Sequence, residues 1–194
     1  LPYFSIFGFK EKTHTPFNAL GNWQVSGDAN TGMWQIGEPV GSYMNRNFRG
    51  TPVQPDQDNS NNLQNKCAFT ENAANANSNI GEADIDEGTT ILTSPWYDVS
   101  DYQKPVLGYH RWFTNDAGSN PGNDPWVVAV QSKQKAQWKQ VEFTYSSQRA
   151  WRQNIVNLHE VLDTATNEFR VKFIASDSIK QSEFRNGQSL VEAA

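Results

Sequence analysis

Apolar and polar residues alternate along several short stretches of this chain, and loops rich in Gly, Asn, Asp and Pro separate those stretches. A period of two marks strands with one buried face. In Val106–Phe113 the residues Leu107, Tyr109, Arg111 and Phe113 share one face, while Gly108, His110 and Trp112 point the other way. Lys139–Tyr145 alternates too, setting Val141, Phe143 and Tyr145 inward and Gln140, Glu142 and Thr144 outward. Phe169, Val171, Phe173 and Ala175 make a third such face, opposed by Arg170, Lys172 and Ile174. Trp126–Val130 is nearly all apolar, as a central strand covered on both sides would be. Thr89–Thr93 is rich in β-branched residues and is stopped by Ser94-Pro95. Between Trp151 and Leu162, Ile155, Leu158 and Val161 permit a short helix, but Asn154, Asn157 and the β-branched residues suit a strand equally.

These elements predict an all-β protein, an antiparallel β-sandwich of roughly eight to twelve strands with jelly-roll, concanavalin-like topology. A chain of 194 residues suits one such domain, spanning 1–194, with Leu1–Ala19 as a first strand or a linker segment. Seven Trp, eleven Phe and six Tyr supply the core of an otherwise polar chain. Trp23, Trp34, Trp112 and Trp126 are expected in that core, and His110 reads as a packed or hydrogen-bonded core histidine.

Charge and motif content then remove function classes. The formal net charge is −5 and no basic stripe is present, which argues against a nucleic-acid partner. No apolar run approaches the ~18 residues of a membrane span, so no membrane insertion is expected. Cys67, the single cysteine, sits beside Ala68 and Phe69 and reads as a buried structural thiol. His14, His110 and His159 have no zinc-site spacing, and neither a Gly-x-Ser-x-Gly turn nor a phosphate-cradling glycine loop occurs. Asp and Glu are plentiful enough to assemble a glycosidase pair in many ways, which discriminates nothing.

Three features remain as candidate sites. Asp84 and Asp86, with Glu82 and Glu87 beside them, form an acidic turn in which Gly88 permits a tight bend. Hard cations such as Ca²⁺ take six to eight oxygen ligands, and Asp56, Asp58, Ser60, Asp84 and Asp86 are the candidate set for a structural calcium ion. In the long loop Thr114–Pro125, Asp116 and Asp124 are candidates for a sugar or a metal, against the plainer reading of Asx-turns closing a hairpin. Trp96, Tyr97 and Trp151 lie beside turns and are candidates for a platform on which a sugar ring stacks.

Several segments, taken in order, resemble a family of jelly-roll accessory domains of secreted bacterial proteins, related in pattern to MAM-type domains. They are Trp23-Gln-Val-Ser-Gly-Asp-Ala-Asn-Thr-Gly-Met-Trp34, Gly37-Glu-Pro-Val-Gly41, Pro52-Val-Gln-Pro-Asp-Gln-Asp58 and Gly81-Glu-Ala-Asp-Ile-Asp86. Asn120-Pro-Gly-Asn-Asp-Pro-Trp126, Val171-Lys-Phe-Ile-Ala-Ser-Asp177 and Leu190-Val-Glu-Ala-Ala194 follow. Such domains are often attached to metallocarboxypeptidases or other hydrolases. The resemblance implies a metal-holding Asp-x-Ser/Thr pair, matched here by Asp58-Asn59-Ser60, and further acidic ligands after Ala194. It also implies a non-catalytic accessory or adhesion module, secreted or at the cell surface. Its partners would be neighbouring domains of a larger protein, and a glycan or a cell-surface protein. A jelly-roll enzyme, or a carbohydrate-binding module acting on polysaccharide, is the alternative.

Overall fold

The computed structural model describes residues 15, 17–44, 50–59, 65–75, 78, 80–118, 121–163 and 165–177, with the backbone of 189–193. The first strands are short: β1 (Gln24–Gly27), β2 (Trp34–Gly37), β3 (Ser42–Tyr43), β4 (Pro52–Gln54) and β5 (Cys67–Thr70). Then come β6 (Gly88–Thr93), β7 (Tyr97–Asp98), β8 (Val106–Gly118), β9 (Trp126–Ser132), β10 (Trp138–Thr144) and β11 (Gln148–Asn157). The one-turn helix α1 (Leu158–Val161), β12 (Glu168–Asp177) and β13 (Ser189–Ala193) complete the order. The ambiguous stretch from Trp151 is therefore both things in turn, a strand that ends at Asn157, whose side chain caps the helix by accepting from His159 N.

A six-stranded antiparallel sheet runs β1-β6-β12-β9-β10, with β7 added to β12 beyond the end of β6. A three-stranded sheet, β11-β8-β13, is accompanied by the two small ladders β2-β5 and β3-β4. In the large sheet the neighbours β1, β6, β12 and β9 come from distant stretches, and only β9-β10 is a hairpin, as a jelly-roll sandwich requires.

Trp126 sits at the centre of the core, 1 % exposed. Its ring meets Trp34 at 6.2 Å, Phe113 at 5.8 Å and Phe173 at 6.0 Å, joining residues from both sheets. Trp23, Trp34 and Trp112 are buried as expected, and Phe169, Val171 and Ala175 line the inner face of β12. Trp112 belongs to a second, smaller cluster with Cys67 and Phe69, against which Trp151 packs. His110 departs from expectation. It is exposed on the outward face of β8, opposite Gln153, because the cluster of Cys67, Phe69 and Trp151 that covers Trp112 on that face does not include it.

The acidic turn is a structural plug. Ile85 is fully buried, the carbonyl of Asp84 accepts from Thr31 Oγ1 at 2.8 Å, and that of Asp86 accepts from Asn30 N at 2.9 Å. The left-handed residue of the turn is Glu87 (φ 52°), not Gly88. Gly88 is needed for a different reason: a Cβ there would lie 2.7 Å from the backbone nitrogen of Ala29.

Strand β6 ends at Thr93 as expected, yet its ladder goes on one step. Ser94 N donates to the Val171 carbonyl and Ser94 Oγ accepts from Val171 N, each at 2.9 Å. Pro95 then interrupts the ladder, which resumes on β12 at Tyr97, and the Trp96 ring lies against Arg170 on the outer face of the sheet.

Candidate functional site

The register of β10 against β9 decides the site. Gln140 pairs with Ala129, but Glu142 pairs with Val128, so Val141 is the extra residue of a β-bulge. A bulge reverses the facing of everything beyond it. Val141 packs on the core, Glu142 turns inward, and Phe143 and Tyr145 turn outward, each 47 % exposed. The alternation had implied the opposite for Glu142, Phe143 and Tyr145; a single inserted residue corrects it.

Inside the sandwich, Glu142 collects three donors. Arg111 Nε reaches Oε1 at 2.6 Å, Tyr109 OH reaches Oε2 at 2.6 Å, and Trp126 Nε1 reaches Oε2 at 3.0 Å. The Arg111–Glu142 pair is nearly enclosed, with side chains 7 % and 14 % exposed. Burial, first, and then the Glu142 carboxylate raise the Tyr109 phenol above its ordinary range. A carboxylate so fully engaged is organised for structure.

The outer face of the large sheet is different. Strand pairing places Arg170, Gln131 and Trp138 in one line across β12, β9 and β10. Lys172, Ala129 and Gln140 form the next line, and Ile174, Val127 and Phe143 the third. The guanidinium of Arg170 lies 4.6 Å from the Trp96 ring centroid and 5.0 Å from that of Trp138. Lys172 Nζ lies 4.5 Å from the same Trp138 ring. Buried Gln131 fixes Arg170: its Oε1 accepts from Arg170 Nε at 2.8 Å while its Nε2 donates to the Ala136 carbonyl. Beyond Gln140, Phe143 and Tyr145 stand edge to face at 5.1 Å.

The residues proposed from sequence scatter over the molecule. Trp96 belongs to this outer face, but Tyr97 packs against Phe169 with its hydroxyl near Thr15. Trp151 packs edge-on to Trp112 and donates to the Gln57 carbonyl. Asp116 is held by Arg149 through two hydrogen bonds of 2.7 and 3.3 Å, and Asp124 is fully buried. Asn115 organises that loop, with Nδ2 donating to the Asp124 carbonyl and its own carbonyl accepting from Gly122 N.

Of the calcium candidates, Asp56 accepts from Tyr43 OH at 2.8 Å and Asp58 N donates to Asn65 Oδ1 at 2.8 Å. Asp84 is buried in the plug described above, and Asp86 bridges Thr31. Ser60 lies outside the described residues. Among the described residues no three His, Cys, Asp or Glu side chains gather as a metal site would. Cys67 is buried, and its thiol is pushed up to about 12, by burial first and then by Asp58. That suits the inert structural thiol expected of it.

The outward Phe143–Tyr145 pair has no signature in the hydropathy pattern because a bulge leaves that pattern intact, and the cations over Trp138 depend on β12 and β10 flanking β9, which local sequence does not specify. The one available signal was the pair Arg170 and Lys172, polar positions opposite a buried face.

No family model matches this chain, and no curated protein matches it. A solved structure concerned with the promiscuous specificity of carbohydrate-binding modules from the β-sandwich superfamily aligns at a TM-score of 0.44 and 12 % identity. The alignment covers 97 % of this chain, which spans 61 % of the length of that structure.

Proposed function

We propose that this chain is a non-catalytic binding module that lays a glycan along the outer face of its large sheet, serving a secreted or surface protein beside other domains. The observation that carries this reading is the exposed Phe143–Tyr145 pair at the end of β10, with Trp138 and Gln140 on the same face of that strand. Exposed aromatic rings offer apolar faces to the C–H side of a sugar, and neighbouring amides offer donors and acceptors to its hydroxyls. Gln140 supplies such an amide between the rings. Glu142, the carboxylate nearest to these residues in sequence, is directed into the sandwich and held by three donors, which leaves it poorly placed for acid–base work on a ligand outside.

Titration calorimetry against a panel of polysaccharide fragments tests the reading. Binding without turnover is expected, weakened at least ~10-fold (about 1.4 kcal/mol) in the Phe143→Ala/Tyr145→Ala double variant. Unchanged affinity in that variant, or turnover abolished by a single Asp or Glu substitution, overturns it.

A further inference from the structure

We propose that the ligand of this outer face is an acidic polysaccharide, with uronate carboxylates seated against Arg170 and Lys172 beside the Trp96 and Trp138 rings. The inference rests on the glycan-binding reading above and adds the chemical class of the sugar.

The chain as a whole is acidic, at −5, yet this face gathers two cations on one tryptophan. The ion pairs among the described residues are Arg111–Glu142, Lys133–Glu168, Lys135–Asp163 and Arg149–Asp116, so neither Arg170 nor Lys172 has a carboxylate partner. Lys133 reaches towards the Trp96 ring from the rim, at 5.9 Å, but is already neutralised by Glu168 at 2.7 Å. Arg170 alone already contacts both tryptophan rings, and the second cation, Lys172, adds repulsion.

The guanidinium is also aimed. Gln131 takes Nε and is itself held by Ala136, which leaves the Nη edge of Arg170 without a protein acceptor among the described residues. A guanidinium held in this manner presents a planar fork matched to a carboxylate, with less ordering entropy left to lose on binding. Lys172 stands two residues along β12, about 7 Å at strand spacing, as a second point charge for the same or the next sugar. Its ammonium is already made less favourable by burial and by Arg170, a cost that a bound anion relieves. Further along, Gln140, Phe143 and Tyr145 continue the track with the neutral contacts that the body of the sugar needs.

The test titrates the full chain with oligogalacturonate, its methyl ester, a neutral xylan oligosaccharide and dextran sulfate, at low and at physiological salt. Oligogalacturonate is expected to bind best, to weaken as salt rises, and to lose at least ~10-fold on methyl esterification, on Arg170→Gln and on Lys172→Gln. Arg170→Lys is expected to recover only part of that loss, because an ammonium lacks the fork. Near-UV circular dichroism checks that each variant remains folded, and the methyl ester gives the same answer without any substitution. If the ester or the neutral sugar binds as tightly as the acid, or dextran sulfate alone binds, the acidic-uronate inference falls while glycan binding stands. If none of the four binds, both readings fall.

Discussion

An arginine lies against a tryptophan on each face of the large sheet, Arg111 from β8 of the facing sheet on the inside and Arg170 of β12 on the outside, and the two are treated in opposite ways. On the inner side Arg111 lies 6.0 Å from the Trp126 ring centroid and is paired with Glu142 at 2.6 Å. On the outer side Arg170 lies between Trp96 and Trp138, is held by an uncharged amide, and has a second cation for a neighbour. A buried guanidinium without a carboxylate would carry an uncompensated desolvation cost, so the inner pair is obligatory once Arg111 is enclosed. Water screens the half-exposed outer arginine, and the fold tolerates it unpaired. The difference separates a group that holds the sandwich together from one that is available to a partner.

Breaking the inner pair gives the largest effect. Glu142→Ala removes the carboxylate from Arg111, Tyr109 and Trp126 together, and a loss of about 3–5 kcal/mol in denaturant unfolding is expected. Exchanging both partners for apolar residues, as in Arg111→Met/Glu142→Leu, should restore much of that stability, since no buried charge is then stranded. If Glu142→Ala unfolds at the wild-type denaturant concentration with an unchanged slope, the inner network is not structural and the contrast collapses.

Much of this arrangement was legible in the sequence, but unevenly. The strands Val106–Phe113 and Phe169–Ala175 follow from periodicity, because burying one face of a pleated strand requires it, while β-branched content marks Thr89–Thr93 and a continuous apolar run marks Trp126–Val130. Trp112 and Trp126 follow from their places in those strands, and Trp23 and Trp34 from the apolar bulk of their rings. The outer face proposed for binding does not. Its outward aromatics depend on one extra residue at Val141, and a bulge leaves the local pattern intact while reversing what it means. The acidic turn is visible in the sequence, but its contacts are not. Burial of Ile85, capture of the Asp84 carbonyl by Thr31 and capture of the Asp86 carbonyl by Asn30 are contacts across more than fifty positions, which no local spacing reveals. Trp96 stands out in the sequence as a candidate stacking ring, but the Arg170 and Lys133 that flank it come from other strands and turns.

Breaking the outer arrangement should cost far less stability. Arg170→Gln removes cation–π contacts at a half-exposed position, and a loss of about 1 kcal/mol or less is expected by chemical denaturation. A loss as large as that of Glu142→Ala would make Arg170 a structural clamp and erase the distinction between the faces.

The smallest effect is the most direct reading of the unpaired cations. The Lys172 ammonium is depressed below the ordinary 10.5, by burial first and by Arg170 second. Because the native state binds this proton less tightly than the unfolded chain does, the charged lysine is a penalty at neutral pH. That penalty is relieved as pH rises from the native-state value of Lys172 towards 10.5, so this residue alone makes stability climb with alkalinity in that window. Carbon-13 NMR of the lysine Cε follows the titration without perturbing the fold. Arg170→Gln should move the Lys172 midpoint upward but short of the ordinary value, since burial remains, and saturating oligogalacturonate should move it upward in the wild type. A midpoint indifferent to Arg170 would mean that the two cations do not sense each other. The repulsion that distinguishes the outer arginine from the inner one would then be absent.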